Sequence, residues 1–214
     1  MKEKEKKYLL GFYNYTVVLT YIGMVIGCCG IMFAMEGCCH QALVCLMIAG
    51  LCDMFDGTVA STKKDRTKDE KMFGIQIDSL SDLLCFGMLP ACIVYSLNTE
   101  SHWFLIIPCF FVLCGLIRLA YFNVDEANRQ GETSEGRKYY QGLPITSSAL
   151  LLPAVFEICV YFHLSMFYVG MGALFVIGIA YILPFQLKKI HVCGKIVMII
   201  LGIVEFILLV KGVI

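Results

Sequence analysis

The sequence predicts an all-α, polytopic transmembrane helix bundle of about seven spans. Three observations predict it. Of the 214 residues, 59% are hydrophobic and 16% charged, with a mean hydropathy of +0.77, a balance far from that of a water-soluble domain. Apolar runs long enough to cross a hydrocarbon core of roughly 30 Å recur along nearly the whole chain. The basic residues gather in alternate connections between those runs. Six to eight spans fit the same pattern, because the first run and the last two have the least sharp boundaries.

Residues 1–14 read as a cytoplasmic or interfacial amino-terminal segment. Lys2, Lys4, Lys6 and Lys7 make it basic, Glu3 and Glu5 interrupt that charge, and no small-residue cleavage site follows, so a retained segment is expected rather than a signal peptide. Residues 15–214 read as one transmembrane domain. Spans are expected over 15–35, 42–61, 73–97, 103–122, 143–162, 166–184 and 192–210. The connection 62–72 carries Lys63, Lys64, Arg66, Lys68 and Lys71 and belongs with the amino terminus on the cytoplasmic side. Alternation puts 123–142, with Arg129, Arg137 and Lys138, and 186–195, with Lys188, Lys189 and Lys195, on that side too. The opposite connections, 36–41, 98–102 and the turn around His163, hold no Lys or Arg, although Lys211 is a counter-signal near the carboxyl end. The polar stretch 123–142 is expected to be a mobile surface loop.

Lys plus Arg and Asp plus Glu both number 17, and a net charge near zero argues against a nucleic-acid partner. Most of the twelve cysteines, Cys28, Cys45, Cys85 and Cys114 among them, sit inside apolar runs, where a thiol behaves as a small hydrophobe. No Cys-x-x-Cys pair with a matching His or Cys pair is present, so zinc is not indicated. Trp103, Tyr139 and Tyr140 read as markers of the membrane interfaces.

Carboxylates stand out against this background. Asp53 and Asp56 fall at the end of the second run and Asp78 and Asp82 at the start of the third, and an Asp held mid-membrane costs about 2.5–3.5 kcal/mol on insertion scales. Spacings of three and four residues put each pair on one helical face. A short basic connection joins the two runs, so they are expected to be antiparallel neighbours whose four acids converge. Bare, such a cluster repels itself. Divalent cations remove the repulsion, and oxygen ligands suit hard ions such as Mg²⁺, Mn²⁺ or Ca²⁺. A two-metal site of the kind that stabilises attacking and leaving oxygens in phosphoryl transfer is the expected product. Plainer readings remain beside it: acids solvated at helix ends, acids paired with the lysines that follow, or the transit site of a divalent-cation transporter. Glu157 and Glu205 also fall inside apolar runs, where a proton, a subunit contact or an interhelical hydrogen bond would each account for them.

Residues 53–82 read Asp-Met-Phe-Asp-Gly-Thr-Val-Ala-Ser, twelve residues, then Gly-Ile-Gln-Ile-Asp-Ser-Leu-Ser-Asp. This resembles the signature of the CDP-alcohol phosphotransferases, Asp-x2-Asp-Gly-x2-Ala-Arg, a short spacer, and Gly-x3-Asp-x3-Asp. Asp53, Asp56, Gly57, Ala60, Gly74, Asp78 and Asp82 match. Ser61 stands where the family has Arg, and the spacer is longer, which leaves Lys63, Lys64 or Arg66 to supply any phosphate contact of that Arg. Three flanking segments are similar to the phosphatidylserine synthase branch: Asp78 to Ala91 with its Phe86-Gly87 and Pro90, the Arg118-Leu-Ala-Tyr-Phe-Asn123 run, and Tyr140-Gln-Gly-Leu-Pro144.

The resemblance implies a bundle of at least six spans, a homodimer, and a site that opens to the cytoplasm. It implies that Asp53, Asp56, Asp78 and Asp82 hold two divalent cations, Mg²⁺ or Mn²⁺, with Asp82 also the base toward the acceptor hydroxyl. Asp53, Gly57, Ala60, Ser61, Gly74 and Asp78 would contact the CDP moiety, the two glycines by letting the nucleotide approach the backbone. The implied reaction moves the phosphatidyl group of CDP-diacylglycerol to serine, or to glycerol 3-phosphate or inositol phosphate, and releases CMP. Lys64, Arg118 and Arg137 are candidates for binding the acceptor or phosphate. Arg118, near the end of the fourth run, would grip a phosphate or a serine carboxylate, or else pair with one of the acids.

Overall fold

A computed structural model describes residues 10–98, 102–132, 139–188 and 192–211. Among them seven helices follow in order: α1 (Tyr15–Met35), α2 (Cys39–Thr62), α3 (Lys68–Ser96), α4 (Ile106–Glu132), α5 (Ser148–Tyr161), α6 (Met166–Ile182) and α7 (Val192–Val210). Helices α1, α2 and α3, and the stretch Trp103–Asn128 that holds most of α4, are long and apolar enough to cross a membrane, and the later apolar helices are shorter. The protein is an integral membrane helix bundle.

Helix α3 lies at its centre. Over the most apolar window 56% of α3 is buried, against 33% in each of the other three long helices. Phe86, Leu89, Ile93 and Val94 of α3 meet Leu43 and Leu46 of α2, Phe111 of α4, Phe156 of α5 and Leu174 of α6 in one core. Helix α1 closes over α2 and α3 with a face of small residues, Thr16, Thr20, Gly23, Gly27, Gly30 and Ala34. A Cβ on Gly30 would stand 2.8 Å from both Cys45 Cβ and Leu89 Cδ2, so its absence is what admits the neighbouring helices to van der Waals contact. Val18, Val25 and Met32 on the other side of α1 are exposed, as a lipid-facing surface requires. The described cysteines are free thiols.

Caps fix where α1 and α3 begin. Asn14 accepts from the Thr16 N–H at the head of α1. Thr67 and Glu70 form a reciprocal capping box at the head of α3, satisfying two amides that the helix leaves open.

Residues 123–142 are not the single mobile loop that their polarity suggests. Helix α4 continues to Glu132, because 123–130 contain no Gly or Pro and a polar helix leaves the apolar layer without cost to its backbone hydrogen bonds. Beyond it, β1 (Tyr139–Gln141) pairs antiparallel with β2 (Gln186–Lys188), Tyr140 opposite Leu187. The fifth span is also shorter than 143–162. Leu143 and Pro144 are irregular, Ile145–Ser147 form a 3-10 turn, and α5 starts only at Ser148.

Candidate active site

The second half of α2 and the first half of α3 face a pocket lined by Asp53, Asp56, Asp78 and Asp82, with Thr20 of α1 and Ser81 beside them. One oxygen from each of Asp53, Asp78 and Asp82 lies within 4.8 Å of the others. Asp56 lines the same pocket. It is 9% exposed, and its Oδ2 accepts a 2.9 Å hydrogen bond from Thr20 Oγ1. Helical spacing explains the convergence from α3, since residues 74, 78 and 82 recur at intervals of four on one face. The pocket's remaining walls include Ala49, Cys85 and Phe86, so the carboxylates stand in low-polarity surroundings. Hard oxygen donors, carried on two helices and brought this close, suit a divalent cation.

The basic connection does not neutralise these acids through Lys63. Lys63 Nζ instead pairs with Glu70 Oε1 at 2.8 Å, and that hydrogen bond raises the ammonium pKa above its ordinary value. Glu70 also accepts from Asn14 Nδ2 at 2.8 Å and from the Thr67 N–H at 2.8 Å. Lys64 is exposed, as is Ser61, whose Oγ donates to the Thr58 carbonyl at 2.7 Å. Ala60 is half-buried. The two signature glycines differ. A Cβ on Gly57 would meet nothing within 4 Å, whereas one on Gly74 would fall 2.5 Å from Arg66 Nη2. The open face of Gly74 is thus taken up by a guanidinium of the same chain.

Immediately after Asp82, α3 loosens into a π-turn, Leu83–Met88. Its cause is Pro90, which has no N–H to give to the Phe86 carbonyl four residues back and whose ring crowds it. Ser148 Oγ, at the head of α5, donates to that released carbonyl at 3.0 Å. The helix holding Asp82 is therefore stitched to α5 one turn below the acid.

Arg118 is 7% exposed. Its Nε donates to the Leu143 carbonyl, and its guanidinium lies 4.4 Å from the centre of the Phe122 ring. The same turn is held by Tyr181, whose hydroxyl donates to the Ile145 carbonyl at 2.9 Å. Gly142 has φ +68 and sits where a Cβ would come within 3.0 Å of the Tyr181 and Leu183 carbonyl oxygens, so glycine is required there. Arg137 lies outside the described residues. Glu157 and Glu205 each keep one buried side-chain oxygen with no hydrogen-bond partner.

Sequence reasoning passed over Thr20 and Ser148, which look ordinary among apolar neighbours. The signal for Thr20 was present: it shares the small-residue face of α1 with Gly23, Gly27 and Gly30, and a polar side chain on a packing face needs a partner.

The sequence model of the CDP-alcohol phosphatidyltransferase family matches residues 13–183. A CDP-diacylglycerol–serine O-phosphatidyltransferase of Saccharomyces cerevisiae is 40% identical over 109 residues, 50% of this chain and 38% of the relative. An archaetidylserine synthase of Methanothermobacter thermautotrophicus is 31% identical over 160 residues, 74% of this chain and 61% of the relative. A CDP-diacylglycerol–serine O-phosphatidyltransferase of Methanocaldococcus jannaschii is 40% identical over 100 residues, 47% and 42% of the two chains. The chain thus spans less than two thirds of the length of each of these relatives.

Proposed function

We propose a function from one premise: the chain belongs to the CDP-alcohol phosphatidyltransferase family, whose signature supplies the acids of the pocket. The reaction is transfer of the phosphatidyl group of CDP-diacylglycerol to L-serine, giving phosphatidylserine and CMP. The observation that carries it is the approach of Asp53, Asp78 and Asp82 oxygens to within 4.8 Å of one another inside a membrane span. Serine as acceptor is supported by the names of the relatives and by the segments flanking the signature.

Asp53, Asp56, Asp78 and Asp82 would hold two divalent cations, Mg²⁺ or Mn²⁺. When bound, these supply positive charge to the diphosphate and to the oxygens that gain charge during transfer. Asp82 accepts the proton of the serine hydroxyl as that oxygen attacks the phosphorus bearing diacylglycerol. The bond from this phosphorus to the CMP oxygen breaks, and CMP leaves. Gly57, open on its outer face, gives the nucleotide access to the helix backbone, with Ala60 and Ser61 lining the same approach, while Gly74 makes room for the Arg66 guanidinium. Lys64 attracts anionic substrate at the mouth, and Arg118 acts through the Gly-Leu-Pro turn that it holds. The mouth faces the cytoplasm with the amino terminus, where serine is dissolved, and the enzyme works as a homodimer with the diacyl tails in lipid.

Purified protein given CDP-diacylglycerol, Mn²⁺ or Mg²⁺ and labelled serine is expected to yield phosphatidylserine and CMP. Chelation abolishes the product and either ion restores it. Product from glycerol 3-phosphate or inositol phosphate but none from serine would reject the acceptor while keeping the reaction class. Metal flux into sealed vesicles without CMP release would reject the class itself.

A further inference from the structure

We infer that Arg66 is a binding residue for the diphosphate of the CDP-linked substrate, supplying a cation that Ser61 does not. The inference rests on the reading of the pocket as a CDP-lipid site.

Four observations lead to it. Arg66 lies in the connection between α2 and α3 and is half-buried: its guanidinium folds over Gly74, with Nη2 2.5 Å from where a Cβ would be. Gly74, Asp78 and Asp82 form one stripe on α3, and at 1.5 Å of rise per residue Gly74 is about 6 Å along the axis from Asp78. The guanidinium therefore lies at the outer end of the acidic stripe, about one helical turn from the position of Asp78. Its Nη2 donates to the Glu70 carbonyl at 3.2 Å, but its Nε is buried and has no partner. A buried N–H on a permanent cation is costly when left unpaired, so the position makes sense if an anion arrives to take it.

Other cations of the connection do not meet this need. Lys63 is committed to Glu70, and Lys64, Lys68 and Lys71 are exposed. Ser61 is uncharged and spends its hydroxyl on the Thr58 carbonyl. A diphosphate has the matching chemistry, since its non-bridging oxygens accept the paired N–H groups of a guanidinium. One end of such a ligand reaches the carboxylate-held cations while the other meets Arg66. The structure also gives Gly74 a reason beyond nucleotide access: any side chain there would displace the guanidinium.

The test is calorimetric titration of CDP into the purified full-length protein with Mg²⁺, for wild type and Arg66→Gln. Glutamine keeps the side-chain stem and an N–H donor at the level of Nε but carries no charge. The expected result is about tenfold weaker CDP binding, a parallel rise in KM for CDP-diacylglycerol, and an unchanged melting temperature and Mg²⁺ requirement. Arg66→Lys, which keeps the charge without the fork, is expected to fall between the two. Arg66→Gln protein that binds CDP like wild type, or that weakens only together with a lowered melting temperature, overturns the inference and leaves the reaction standing. Wild-type protein that does not bind CDP at all removes the nucleotide site and the inference with it.

Discussion

Asp53, Asp78 and Asp82 on α2 and α3 bring their oxygens within 4.8 Å of one another in a pocket with a threonine donor at its edge. Glu157 on α5 and Glu205 on α7 also sit inside apolar helices, but each keeps a buried oxygen without a hydrogen-bond partner, and neither lines that pocket. Both groups pay the desolvation cost of an acid in the membrane. The difference teaches that an intramembrane carboxylate is not by itself a sign of chemistry. Number and setting decide: at least three acids within reach of one another, a neutral donor that orients a neighbouring one, and space for a ligand.

Substitutions test that contrast, beginning with the largest effect. Asp82→Asn keeps the shape of the side chain but removes both the proposed proton acceptor and an anionic oxygen offered to a cation. CMP release is expected to fall about a thousandfold or more, with the protein still eluting as a folded species. Full turnover by this variant would exclude Asp82 as the base. Thr20→Val removes the hydroxyl that orients Asp56 while preserving volume, leaving a buried carboxylate oxygen short of a donor at a cost of about 1–3 kcal/mol. Turnover about tenfold lower is expected, measured at saturating Mn²⁺, and unchanged turnover would mean that Asp56 needs no fixing. Glu157→Gln is the smallest change, within about twofold of wild type in the same assay. A loss comparable to that of Asp82→Asn would erase the distinction between the two groups of acids.

Much of the bundle was legible because helices write their packing locally. The bounds 15–35 recur as α1, since an apolar run flanked by Asn14 and Gly37 contains both its cap and its stop. The i, i+4 stripe of 74, 78 and 82 was equally plain, being a matter of residues on one helix. What stayed hidden was long-range. The pairing of Tyr140 with Leu187 joins two connections separated by two helices, and three-residue strands leave no periodicity to detect. Thr20 and Asp56 are 36 residues apart, and nothing near either one names the other. Arg66 was visible only as one of three basic residues able to stand in for the family Arg; its seat on Gly74 depends on how the connection folds back over α3. Polarity misleads at 123–132, where it suggests a mobile surface loop and the polar end of α4 stands instead.

Glu70 carries a last consequence. A single carboxylate fastens the head of α1 through Asn14, the connection through Lys63, and the first turn of α3 through Thr67. Three separate stretches of chain thus share one rivet, on the side of the bundle where α2 ends and α3 begins. Replacing that one side chain would unfasten all three together.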